Sequence, residues 1–193
     1  MKRRPFCARG QSIIEFALVL PLVLLIVLGV IEVSFALLEQ HVVTKLAREG
    51  SNLISRDTSL QDAVNAMRSM STRPVNFDDG SSKLILSVIK KGATSETSNY
   101  NREILYQRYE YGSFPAQSVL TTRGTGSFGT TPEHVAANSD SNANLQLTNF
   151  PADLATAGGM VYVTEIYTRH TLITPLDWFG VRVPTTLYSI AYF

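Results

Sequence analysis

Apolar and polar positions divide the chain sharply. From Phe16 to Ile31 every residue is apolar, Pro or Gly (FALVLPLVLLIVLGVI). With Ile13, Ile14, Val33 and Phe35 the run reaches roughly 20 residues, enough for the ~30 Å core of a bilayer. Such a run has no polar face, unlike the amphipathic core helix of a soluble protein. Beyond it, Phe35, Leu38, Val42, Leu46 and Leu53 recur at helical spacing. Glu39, Lys45, Arg48 and Glu49 fall on other faces, so the pattern predicts one helix emerging from the span and stopping at Gly50 or running to Arg56. Pro21 removes an intrahelical hydrogen bond and predicts a loosened or kinked span near Ala17. Gly29 adds a small contact surface. Glu32 falls about 32 Å up the axis from Gln11, near the far interface, where ionisation is cheap.

The pattern then changes period. Ser59-Leu60-Gln61-Asp62 reads as a capped helix start, with Leu60, Val64 and Met67 on one face. Pro74 to Ser82 is a turn-rich linker. Lys83–Ile89, Glu103–Tyr111, Met160–Arg169 and Thr186–Phe193 read as strands. Gly112 to Gly159, rich in Ser, Thr, Asn, Gly and Ala, reads as a long surface-exposed insertion, and loops of that length are usually functional or mobile. The expected fold class is α+β: a long N-terminal transmembrane helix continuing into a domain with an antiparallel β-sheet packed on the helix's outer part. Residues 1–10 form a leader, 11–56 the span and emerging helix, and 57–193 an extracytoplasmic domain.

Charge adds orientation. The chain has 193 residues, with 17 Lys and Arg against 16 Asp and Glu. Lys2, Arg3, Arg4 and Arg9 precede the span; setting them aside leaves 13 of the 17 bases against 16 acids. That remainder gives no reason to expect nucleic acid as a partner. Basic residues before the span keep the N-terminus cytoplasmic and export residues 40–193. The one cysteine, Cys7, precedes the apolar run and is not placed as a lipoprotein cysteine would be; with one thiol no internal disulfide can form. Ser34-Phe35-Ala36 is only a weak secretory cleavage site after an apolar run too long for a signal peptide.

The residues before the span carry the most information: Arg9-Gly10-Gln11-Ser12-Ile13-Ile14-Glu15-Phe16. A carboxylate at the lip of an apolar helix needs a partner. Cleavage after Gly10 would create one, an α-amine on Gln11 about one turn away. The segment resembles the type IV prepilin site, in which a membrane peptidase cuts after Gly and the fifth mature residue is Glu. The resemblance implies cleavage between Gly10 and Gln11, with Glu15 as that fifth residue. Over about residues 9–56 the chain also resembles the TadE/TadF-like proteins of tight-adherence (Flp, type IVc) pili, through the RGQ-hydrophobic-EFA-LP entry and the Ala47-Arg48-Glu49-Gly50 segment. It implies a minor pilin or pseudopilin of the inner membrane, anchored through the helix that includes Ile13, Phe16, Pro21, Gly29 and Ile31. The implied partners are a prepilin peptidase, other pilins and the Tad assembly platform.

Other chemistry is weakly signalled. Gly124-Thr125-Gly126-Ser127-Phe128-Gly129 matches GxGxxG but lacks a strand before it and a helix after it, so a flexible loop is expected and no nucleotide cofactor. His41, His134 and His170 have no second ligand at metal spacing, and no metal is expected. His134 and Glu133 are expected to be solvated. No nucleophile-elbow pattern appears, and no catalytic residue is assigned. The tyrosines of the strands read as strand formers, with a surface-binding aromatic patch as the alternative, and Trp178 as a core anchor. Two rivals remain at this stage: a pseudopilin of a secretion system, and a membrane-anchored extracytoplasmic binding protein with an accidental Gly10/Glu15 spacing.

Overall fold

The computed structural model describes residues 8–151, 154–175, 180 and 184–193; Trp178, Cys7 and the bases at 2–4 lie outside them. Helix α1 spans Ala8–Ile54 and passes through Pro21 and Gly50 without interruption. Helix α2 spans Leu60–Met70, its start fixed by Ser59, whose hydroxyl accepts from the Asp62 amide at 3.1 Å. Strands β1 (Ser82–Lys91), β2 (Glu103–Tyr111), β3 (Met160–Arg169) and β4 (Thr186–Tyr192) form one antiparallel sheet in the order β2-β1-β3-β4. The α+β layout expected from the sequence is the one observed.

The chain forms two compact units. One comprises Met1–Leu38 with Thr171–Thr185; the other comprises Glu39–His170 with Thr186–Phe193. In the second unit, side chains alternate across the sheet and serve two layers. On one face Leu84, Leu86, Val88 and Ile166 meet Val43, Leu46, Ala47 and Ile54 of α1 and Leu60, Ala63, Val64 and Met67 of α2. Each large apolar side chain so buried contributes about 1.5–3 kcal/mol. The helix face that does this overlaps the expected one at Leu46 and Leu53 but departs from it elsewhere. Phe35 and Leu38 are exposed and Val42 and Leu53 are half-buried, whereas Val43, Ala47, Gly50, Ser51 and Ile54 are buried. Close approach of helix to sheet selects the small residues, which a search for large apolar ones passes over.

The insertion forms a third layer on the opposite face. Leu120 and Ala155, with Leu147 and Phe150 beside them, pack on Ile89, Val161 and Val163. Ala136, Leu145 and Phe128 cover Ile104. The insertion also caps the outer edge of β2: the Ala136 amide donates to the Tyr106 carbonyl at 2.8 Å and Leu147 to Glu103 at 2.9 Å. An edge left bare would be open to unwanted pairing. The GxGxxG stretch belongs to this layer. A Cβ at Gly126 would meet Leu145 Cδ2 at 2.4 Å and one at Gly124 would meet Asn144, so close packing accounts for these glycines. His134 is half-buried rather than solvated, with its ring stacked 4.0 Å from that of Tyr109.

Candidate functional site

The first part of α1 is apolar and faces outward. Ile13 is 68% exposed, Phe16 65% and Ile31 39%, Pro21 is exposed and Gly29 half-buried with open space where a Cβ would be. Among the described residues one helix is long and apolar enough to cross a membrane, and its apolar stretch is not buried inside the protein. A water-soluble core helix would be covered; this one is left for an apolar medium or other helices.

Gly10 and Gln11 lie near the start of this helix, on its backbone, and Glu15 sits one turn above Gln11, about 6 Å along the axis. The exposed carboxylate therefore flanks the position where cleavage after Gly10 would leave an amine. Ser34–Ala36, the weak secretory site, is continuous helix, with the Ser34 hydroxyl turned back onto the Val30 carbonyl at 2.7 Å.

Glu32 behaves differently from the expectation of a solvated interfacial acid. It is fully buried. One carboxylate oxygen accepts the Thr174 amide at 2.8 Å and the Thr174 hydroxyl at 2.6 Å, and the Ile173 amide reaches both oxygens at 3.2 and 3.3 Å. A carboxylate on an otherwise apolar helix costs about 2.5–3.5 kcal/mol at the bilayer centre and less towards the interface. Here the chain supplies its own donors. An acid inside an apolar run is a visible sign that such donors exist, but partners 141 and 142 positions away are not readable from a motif.

Further along, the Ala47-Arg48-Glu49-Gly50 segment splits by role. Ala47 and Gly50 are buried against the sheet unit, while Arg48 and Glu49 face outward. A Cβ on Gly50 would lie 2.7 Å from Met67 Sδ and 2.8 Å from Thr164 Cγ2, so any larger residue here makes those side chains or the helix shift.

Residues 10–52 match the model of a family described as TadE-like protein. This segment is TadE-like. The match opens at Gly10, includes Glu15, Pro21, Glu32 and the 47–50 segment, and closes two residues before α1 ends. No curated protein and no solved structure matches the chain.

The TadE-like segment is tied into the sheet unit by polar contacts that the sequence does not signal. Gln40 Nε2 donates to the Tyr188 carbonyl at 2.9 Å, and Ser51 Oγ to the Ala191 carbonyl at 2.9 Å. Glu39 Oε2 lies 2.5 Å from Nδ1 of the buried His170. Beside the C-terminal strand, Arg48, Glu49 and Asn52 of the segment border a cavity of about 340 Å³ with Ala191, Tyr192 and Phe193.

A second buried polar cluster lies under the insertion, again unsignalled in sequence. Glu165 is buried on β3 and accepts from Ser118 Oγ at 2.5 Å, the Val119 amide at 2.9 Å and Tyr188 OH at 3.3 Å. Arg108 donates to Ser118 Oγ at 3.0 Å and to the Leu120 carbonyl at 3.3 Å; burial holds its pKa below the ordinary value. Burial and the nearby Glu165 push Tyr167 up to about 12, and raise Tyr188 as well. Ser118 is fully engaged, donating to Glu165 and accepting from Arg108 and the Leu120 amide, so the cluster fastens the insertion rather than presenting a nucleophile. Among the described residues no group of three His, Cys, Asp or Glu could hold a metal ion.

Proposed function

We propose that this protein is a minor pilin or pseudopilin of a Tad-type pilus, made as a precursor and cut between Gly10 and Gln11 by a prepilin peptidase. The TadE-like segment relates the chain to the Tad pilus system, and that match, framed by Gly10 and Glu15 on an outward-facing apolar helix, is the observation that carries the reading. The helix from Gln11 crosses the inner membrane once. The four bases before it keep the N-terminus cytoplasmic and the sheet unit extracytoplasmic. The protein catalyses no reaction; its Gly10–Gln11 bond is the substrate of another protein's reaction. Glycine suits that role physically, because a peptidase must open the first helical turn, and Gly lowers helix propensity by about 1 kcal/mol relative to Ala. The mature helix is the element that joins other pilins and the assembly platform, and the sheet unit is the part shown at the surface of the assembly for adhesion.

N-terminal sequencing and intact-mass measurement of the membrane-bound protein test this reading, in cells with active prepilin peptidase. Gln11 as first residue is expected, and Gly10→Val should leave the leader attached. Wild-type protein that still begins at Met1 overturns the processing step and favours a permanent membrane anchor.

A further inference from the structure

Segment Thr171–Pro175 belongs to the same compact unit as the apolar part of α1, and Glu32 holds it there. Two features of this strap bear on its surroundings. First, the backbone donors of its second half are spent: the Ile173 and Thr174 amides both go to Glu32, and Pro175 has no N–H. Non-helical backbone tolerates an apolar medium only when its polar groups are satisfied in this way. Second, its side chains sort by polarity. Thr174 is buried with its hydroxyl on Glu32, whereas Leu172 is half-exposed and Ile173 is 55% exposed. The helix surface at this level is apolar as well: Val30, Ile31, Val33 and Phe35, within one turn of Glu32, are all exposed.

Height follows from helix geometry. Glu15 and Glu32 are 17 residues apart, about 26 Å at 1.5 Å per residue, close to the ~30 Å hydrocarbon thickness. With Glu15 at the cytoplasmic boundary, Glu32 stands at the opposite one, and the strap bonded to it stands at the same level.

We propose that residues 171–175 are a second membrane-contacting element, which lies in the headgroup–acyl boundary of the outer leaflet and inserts Ile173 and Leu172 among the lipids. The occupant of this apolar surface is the bilayer itself, continuous with the lipid around the span; the proposal rests on the membrane-anchored reading above. The strap then sets the helix's depth from outside, as Glu15 does from inside, and opposes sliding of the anchor along the membrane normal. Glu32 is a positioning residue, acting through the strap.

The test uses the full chain in vesicles of phosphatidylethanolamine and phosphatidylglycerol. In a Cys7→Ser background, a bimane label is placed at Ile173→Cys, at Leu24→Cys as a deep reference and at Glu96→Cys as an aqueous one. Quenching by spin-labelled lipids is then compared for a quencher near the headgroup and one near the chain end. The expected result is quenching at position 173 well above that at 96, stronger from the shallow quencher than the deep one, and lost when Glu32→Ala is added. Thr171→Cys gives a second reading should Ile173→Cys disturb the strap. If 171 and 173 are quenched no more than 96 while 24 is quenched deeply, the strap proposal fails and the anchor stands. If 24 is also unquenched, the membrane reading itself fails. If 173 escapes lipid quenching because it cross-links to a co-reconstituted pilin, a protein covers the strap and the lipid assignment is wrong.

Discussion

The hydroxyl of Ser51 donates to the carbonyl of Ala191 across 140 positions of sequence, joining the end of the TadE-like helix to the C-terminal strand. One residue earlier, Gly50 makes this approach feasible by leaving room for Met67 and Thr164. Together they show that small residues at this end of the helix, Gly50 and Ser51, seat it on the sheet, while Arg48 and Glu49 beside them are exposed.

Gly50→Leu tests that seating. The added side chain has no space, and overpacking costs about 1–3 kcal/mol. The gain in helix propensity, about 1 kcal/mol, is the smaller effect. Lower thermal stability of the detergent-solubilised full chain is expected, with helix content retained. Arg48→Ala, two residues away on the exposed face, should stay within about 0.5 kcal/mol of wild type. Equal stability of Gly50→Leu and wild type would show that α1 does not sit on the sheet at this depth.

Alkaline pH probes the cluster beneath the insertion. Tyr167 and Tyr188 have pKa values raised above 10.0 by burial and by Glu165, Tyr167 to about 12. Between those values the folded state holds protons that the unfolded chain has released, so stability is intact below pH 10 and falls as pH rises towards 12. Thermal melts of the full chain across that window should show the decline. Tyr167→Phe with Tyr188→Phe should flatten it, and an unchanged slope in the double variant would mean that other groups carry the alkaline loss.

Much of the outline was readable because it rests on period and on local chemistry. Glu103–Tyr111, aromatic-rich and partly alternating, and Met160–Arg169 have expected and observed bounds that coincide, and Ser59 signals α2 by capping it. What escaped is long-range. The face of α1 that packs was legible only in part, at Leu46 and Leu53, because Ala47, Gly50 and Ser51 contribute by being small. Glu32, Glu165 and His170 are polar residues whose partners lie far away in sequence, and the insertion between β2 and β3 carries too little periodicity to show that it covers a sheet face.

On the proposed reading, Glu15 separates recognition from assembly: peptidase action would depend on the leader and Gly10, whereas the carboxylate would gain importance once Gln11 carries an amine and water is excluded by neighbouring helices. Glu15→Gln keeps the shape and removes the charge. Cleavage and membrane insertion should proceed, with reduced co-purification of other pilus subunits and reduced piliation. Normal piliation by this variant would discard the charge-pairing mechanism and leave the pilin reading in place.

The strand order also constrains when the fold can close. β1 lies inside the sheet, yet its partner β3 is supplied only after the whole insertion: Ser82 pairs with Thr168, and Thr168 in turn with Leu187. Joining such distant segments carries a loop-closure cost, and their pairing is slow relative to local structure. For a chain delivered N-terminus first, α1 and α2 are available early, but the sheet they cover is complete only when the last residues arrive. Until then Val43, Leu46 and Val64 have only the β1–β2 part of that face, through Leu84, Leu86 and Val88, to pack on, and the cover is complete only once Ile166 of β3 and Ala191 of β4 are in place.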